Sequence, residues 1–136
     1  MASQGGYSLI AVIVEATVLL VSFLGLYIGI LYAEAQLIQN YHTRVATLLA
    51  AGELDWQMRS LHVRNEPDMF LSRNVVIEEY ADGTSLKGVM TMDATVDEDQ
   101  SMGDSMIYTA VEVKIRWTEP ADNKIRSIVM REDYYR

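Results

Sequence analysis

No cysteine occurs in the 136 residues, so disulfides, thiol nucleophiles, c-type haem attachment and cysteine-based zinc sites are excluded. Proline is confined to Pro67 and Pro120, which leaves the first 66 residues without a helix breaker. Positive charge is missing from the start of the chain: no Lys, Arg or His precedes His42. Negative charge is nearly missing there as well, since every Asp and Glu except Glu15 lies at or beyond Glu34. The net charge of −8 argues against nucleic acid as a partner, because phosphates would be repelled. No Asn-x-Ser/Thr sequon is present, and neither are Gly-x-Ser-x-Gly, P-loop or His-Glu-x-x-His patterns. Nothing in these motifs points to catalysis or to a cofactor.

What the N-terminal part does contain is one long apolar run, from Tyr7 to Tyr32, with a single acid. As a helix rising 1.5 Å per residue it is about 39 Å long, enough to cross a hydrocarbon core of about 30 Å. It is too long for the apolar region of an ordinary cleaved secretory signal. From Ala33 the pattern becomes amphipathic. Leu37, Tyr41, Val45, Leu48 and Leu49 recur at helical spacing, with Gln36, Gln39, Asn40, Thr43 and Arg44 between them. The expectation is one helix of roughly 50 residues, with a kink at Gly52 and an end no later than Pro67.

From Asn74 the period changes to that of a strand. Asn74 to Tyr80 is β-rich, and Asp82-Gly83 signals a type I′ hairpin turn. Ser85 to Ala94 returns with Leu86, Gly88, Met90 and Met92 on one face. Thr95 to Asp104 reads as a polar loop. Thr109, Val111, Val113, Ile115 and Trp117 then alternate with polar or small residues, which predicts one buried and one wet face of an antiparallel sheet. Thr118 to Asn123 turns the chain, Lys124 to Arg131 comes back, and Arg131 to Arg136 reads as a charged tail. The fold class expected is α+β: a long N-terminal helix, apolar first and amphipathic after, packed on a small antiparallel β-sheet of about four strands. The expected organisation is a short segment 1–6, an apolar helix 7–32, its amphipathic continuation 33–66, and a β-rich head 67–136.

Three groups of residues invite a functional reading. Glu15 is a carboxylate inside an apolar helix, where ionisable residues are expensive and usually functional. His42 lies about 40 Å further along the helix, so no side chain of the same helix can neutralise Glu15. A partner from another chain, a free α-amino group or a bound proton is required. Gly25 and Gly29, with Ser22 and Ala33 around them, form a small-residue strip that another helix can approach closely. Asp97, Asp99, Ser101 and Asp104 have part of the spacing of a calcium loop. The glycine falls one place late and Tyr108 stands where a bidentate glutamate belongs, so a solvated acidic loop is the plainer reading. His42 and His62 read as polar-face residues of the helix.

Gly5-Gly6-Tyr7-Ser8-Leu9-Ile10, followed by an apolar helix, resembles the prepilin start of type IV pilins and type II secretion pseudopilins. Leu19 to Leu26 resembles the small-residue-punctuated helix of minor pilins, and Val111 to Trp117 with its return strand is similar to their last hairpin. The resemblance implies cleavage by a prepilin peptidase between Gly6 and Tyr7, with methylation of the new Tyr7 amine. It implies a location in the inner membrane before assembly, then in a cell-surface or periplasmic filament. Its partners would be copies of the chain or other pilin-like subunits, met through the N-terminal helix. Two departures stand out: Ala11 occupies the family's glutamate position, and the leader lacks Lys and Arg. Glu15 lies one helical turn beyond Ala11 on the same face and is the expected substitute. The alternative is a single-span membrane-anchored accessory or binding protein, since the span alone suffices for that. His42, Arg44, Arg59 and Arg64 all follow the span, which by the positive-inside rule favours a cytoplasmic head.

Overall fold

The computed structural model describes residues 5–99 and 106–135. One helix, α1 (Gly5–Arg64), is followed by four strands: β1 (Arg73–Glu79), β2 (Ser85–Asp99), β3 (Met106–Thr118) and β4 (Ile125–Tyr135). The protein is thus α+β, a long N-terminal helix and a four-stranded antiparallel sheet. The sheet order is β1-β2-β3-β4, so every strand pairs with its neighbour in sequence. The chain divides into two compact units, Met1–Ile38 and Gln39–Arg136.

At 60 residues the helix is longer than the sequence pattern predicts. It runs through Gly52 without interruption, and no atom lies within 4 Å of where a side chain on Gly52 would begin. Its end follows from local chemistry. Asn65 takes a left-handed conformation (φ 57°), its amide donates to the Leu61 carbonyl, and Pro67 bars any continuation.

Within the second unit, Ala46, Ala50, Leu54 and Leu61 of the helix pack on Val75, Ile77, Met90, Met92, Val111, Val113, Ile115 and Trp117 of the sheet. The alternation expected in β3 is present: Thr109, Val111, Val113, Ile115 and Trp117 are all buried. The helix face differs from expectation. Tyr41 and Leu48 are exposed, and the buried line is His42, Ala46, Ala50, Glu53, Gln57 and Ser60. Ala46 and Ala50 let the helix axis approach the sheet, with Leu54 and Leu61 buried further along and Val45 and Leu49 packed at the margin as expected.

Three further expectations are corrected. The Asp82-Gly83 turn is not type I′, because only Gly83 has positive φ (82°). The Gly83 amide donates to the Tyr80 carbonyl and the Tyr80 amide to the Thr84 carbonyl, closing a three-residue loop with glycine in the left-handed position. Asp82 braces it by accepting from the Thr84 amide and hydroxyl, which holds its carboxyl below the usual carboxylate range. The polar stretch from Thr95 is strand as far as Asp99, paired Asp97 with Tyr108 and Asp99 with Met106. The supposed tail is strand as well: β4 continues to Tyr135, which pairs with Tyr108.

Candidate functional site

The apolar half of the helix is covered by nothing. Every large apolar side chain from Leu9 to Tyr32 is at least 47 % exposed. Full burial of one Val, Leu, Ile or Phe side chain is worth about 1.5–3 kcal/mol. Covering such a row with lipid or protein would therefore be strongly favourable. By length and apolar composition the helix can cross a membrane, and it is compatible with membrane anchoring.

Two hydroxyls inside this half are satisfied along the helix. The Thr17 hydroxyl donates to the Ile13 carbonyl at 2.7 Å and the Ser22 hydroxyl to the Val18 carbonyl at 2.7 Å. Both bonds hide a hydroxyl from an apolar surrounding. Glu15 is exposed and has no hydrogen-bond or ion-pair partner among the described residues. Gly25 and Gly29 are exposed, with no atom within 4 Å of either virtual side chain, so the strip is open for close approach. Gly6 and Tyr7 lie in the first turn of α1.

The acidic stretch does not form a loop of converging ligands where it is described. Asp97 lies in β2, where one carboxylate oxygen accepts from the Glu98 amide and the other from the Tyr108 hydroxyl. Asp99 is paired in the same strand, and Ser101 and Asp104 fall outside the described residues. Among the described residues no group of three or more His, Asp or Glu side chains is placed to hold a metal.

The head contains a polar centre that pattern reading misplaces. His42, expected on the wet face, is completely buried. Its Nδ1 lies 2.9 Å from Glu119 Oε1 and its Nε2 2.7 Å from Glu78 Oε2. The ring thus meets a carboxylate at each of its nitrogens. Glu119, also fully buried, accepts from Trp117 Nε1 at 3.2 Å and has Arg126 Nε at 3.9 Å. Arg126 in turn reaches Gln39 at 3.0 Å and Asp122 at 3.2 Å. Burial first, and the Glu78 carboxylate next, hold the Tyr80 hydroxyl above its ordinary range. One cluster thus ties the helix to β1, to the β3–β4 turn and to β4. A second knot closes the far end of the helix. Buried Gln57 donates to Glu53 and to the Asp68 carbonyl and accepts from the Asp68 amide, and Arg73 pairs with Glu53.

No protein family, curated protein or solved structure matches this chain. What the site can do therefore rests on its own chemistry. The buried cluster links His42, Glu78, Glu119 and Trp117 to one another, with Arg126 Nε the one buried donor of the group that makes no hydrogen bond among the described residues, and this arrangement suits cross-bracing. The uncovered helix has an apolar surface, an open glycine strip and one unpaired carboxylate, which suits packing against other helices. A signal for His42 does exist in sequence: it lies four residues before Ala46 and eight before Ala50, on the small-residue line that faces the sheet.

Proposed function

We propose that this chain is a structural subunit of a pilus-like or pseudopilus-like filament, assembled through its N-terminal helix with the β head exposed. The observation that carries the reading is the unpaired carboxylate of Glu15 within a helix half that has no cover of its own. Lipid would cover the apolar surface but would leave the carboxylate unpaired and expensive. A neighbouring subunit supplies both the cover and, through the methylated amine of its Tyr7, the opposite charge. The exposed Tyr41 and Leu48, on the head's own stretch of helix, support the same reading, because a plain anchor has no use for them there.

Glu15→Gln tests the role of charge. The expected outcome is loss of assembly with the head still folded, scored by electron microscopy of sheared surface material and by circular dichroism of the purified chain. Filaments at wild-type yield would contradict it. N-terminal sequencing of purified protein tests processing, with a start at Tyr7 expected.

A second reading has one observation in its favour. The apolar run matches a single hydrocarbon crossing, and the first cation stands only at His42. In that case the chain is a single-span anchored accessory or binding protein. A start at Met1 or Ala2, with no filaments, would favour it.

A further inference from the structure

The outer face of the sheet, opposite the helix, is charge-polarised, with a mainly basic group in rows adjoining a mainly acidic one. At one end stand Lys87, opposite Val76; Arg116, opposite Val89 and Ser127; and Lys114, opposite Thr91 and Val129. None of these three cations has an ion-pair partner among the described residues, and Glu79 is the acid beside them on that end. At the other end Asp93 stands directly opposite Glu112, with Asp97 and Asp133 in the next rows. Arg131 is the cation there, and it is already held by Asp133 at 2.9 Å. Glu112 has Arg131 opposite it on β4, but Asp93, Asp97, Glu112 and Asp133 outnumber that one cation and leave this end net negative.

Each end carries an excess of one sign, opposite to that of the other. Exposed apolar side chains lie among the cations: Val76, Val89, Val129 and Ile125, the last 76 % exposed. They give a contact something to bury besides charge. At net charge −8, two copies repel one another in most orientations. Presenting the Lys87–Arg116–Lys114 end of one copy to the Asp93–Glu112 end of the next reverses the sign locally.

We infer that the outer sheet face is a self-docking surface, in which the basic end of one head binds the acidic end of the next copy, head to tail. Such a contact uses two different patches, so it does not stop at two copies but repeats along a helix or around a ring. It rests on the filament reading for its biological role, and it sets the register between heads once helices supply the cohesion.

The test uses the full chain in detergent micelles, where each apolar helix is separately covered and association reports contacts between heads. Two variants are made, Lys87→Glu/Arg116→Glu and Asp93→Lys/Glu112→Lys, all at exposed positions. Sedimentation at low salt is expected to show the wild type forming species that grow with concentration, and dissociating in about 1 M salt, where screening reaches about 3 Å. Each variant alone associates about tenfold more weakly or worse, and the equimolar mixture regains association because each now complements the other. The regain shows that both variants are folded. Variants that associate like the wild type, a mixture that stays dispersed, or a species that stops at two copies would overturn the inference. The filament reading stands or falls separately on Glu15→Gln and on the N-terminal sequence.

Discussion

At the scale of single residues, the head depends most on His42. Removing it leaves Glu78 and Glu119 facing an empty space, one of them fully buried. Breaking a buried pair in this way costs about 3–5 kcal/mol. His42→Ala is therefore expected to lower the unfolding free energy by that amount, measured by denaturant titration of the full chain in detergent. Tyr134 makes a smaller and more specific contribution. Its hydroxyl donates to the Leu54 carbonyl at 3.0 Å, with a Glu132 oxygen at 3.2 Å. Burial first, then the Glu132 carboxylate, push its ionisation well above the ordinary tyrosine range. A group raised on folding contributes stability that is complete below its unfolded value, about 10, and is lost as pH rises towards the folded one. Tyr134→Phe is expected to cost about 1 kcal/mol at neutral pH. It should also flatten the fall in stability above pH 10, read from thermal melts across the alkaline range. None of this centre was legible in sequence as a cluster. His42 meets partners 36 and 77 residues away, and nothing in a local pattern links positions so far apart.

At the scale of elements, legibility followed how cleanly each one separates wet from dry. β3 has one buried and one solvated face, so Thr109 to Trp117 alternates plainly and could be read at once. β4 is an edge strand whose last residues are Arg131, Glu132, Asp133 and two tyrosines, exposed or half-buried throughout, and such a stretch looks like a tail. The helix misled in the opposite way. Tyr41 and Leu48 have the size of core residues, yet Ala46 and Ala50 take the core positions, because close approach to the sheet demands small side chains. This gives a prediction about packing. Ala50→Leu forces a larger side chain into a fully buried contact and should cost about 1–3 kcal/mol. Leu48→Ser, on the outer face, should leave head stability within about 0.5 kcal/mol of wild type. Equilibrium unfolding of both variants side by side checks the assignment of faces, and a reversed order would refute it.

At the scale of the whole molecule, composition alone announced the separation of roles. One stretch is apolar and nearly uncharged, the rest is acidic, and the structure keeps them as two compact units. The first unit cannot satisfy itself and the second can. A truncation beginning at Gln39 retains the full core and both knots that hold the helix to the sheet. It is expected to be soluble, with a cooperative thermal transition in calorimetry, and to form no filaments. A precipitating or unfolded product would show that the apolar half is needed for the head to fold.

Ala46, Ala50 and Leu54 find their partners on strands that are synthesised after them. Between Arg64 and the end of β4 lie about seventy residues, which take roughly four to fourteen seconds to translate. During that interval the apolar half has already left the ribosome, while the sheet-facing side of the helix has nothing to rest on. The sheet then grows hairpin by hairpin, each strand onto the one just made, and the bonds of His42 to Glu119 and of Tyr134 to Leu54 wait for the last of the chain. The helix is therefore complete before anything that its second half packs on exists, an order written into the order of the chain.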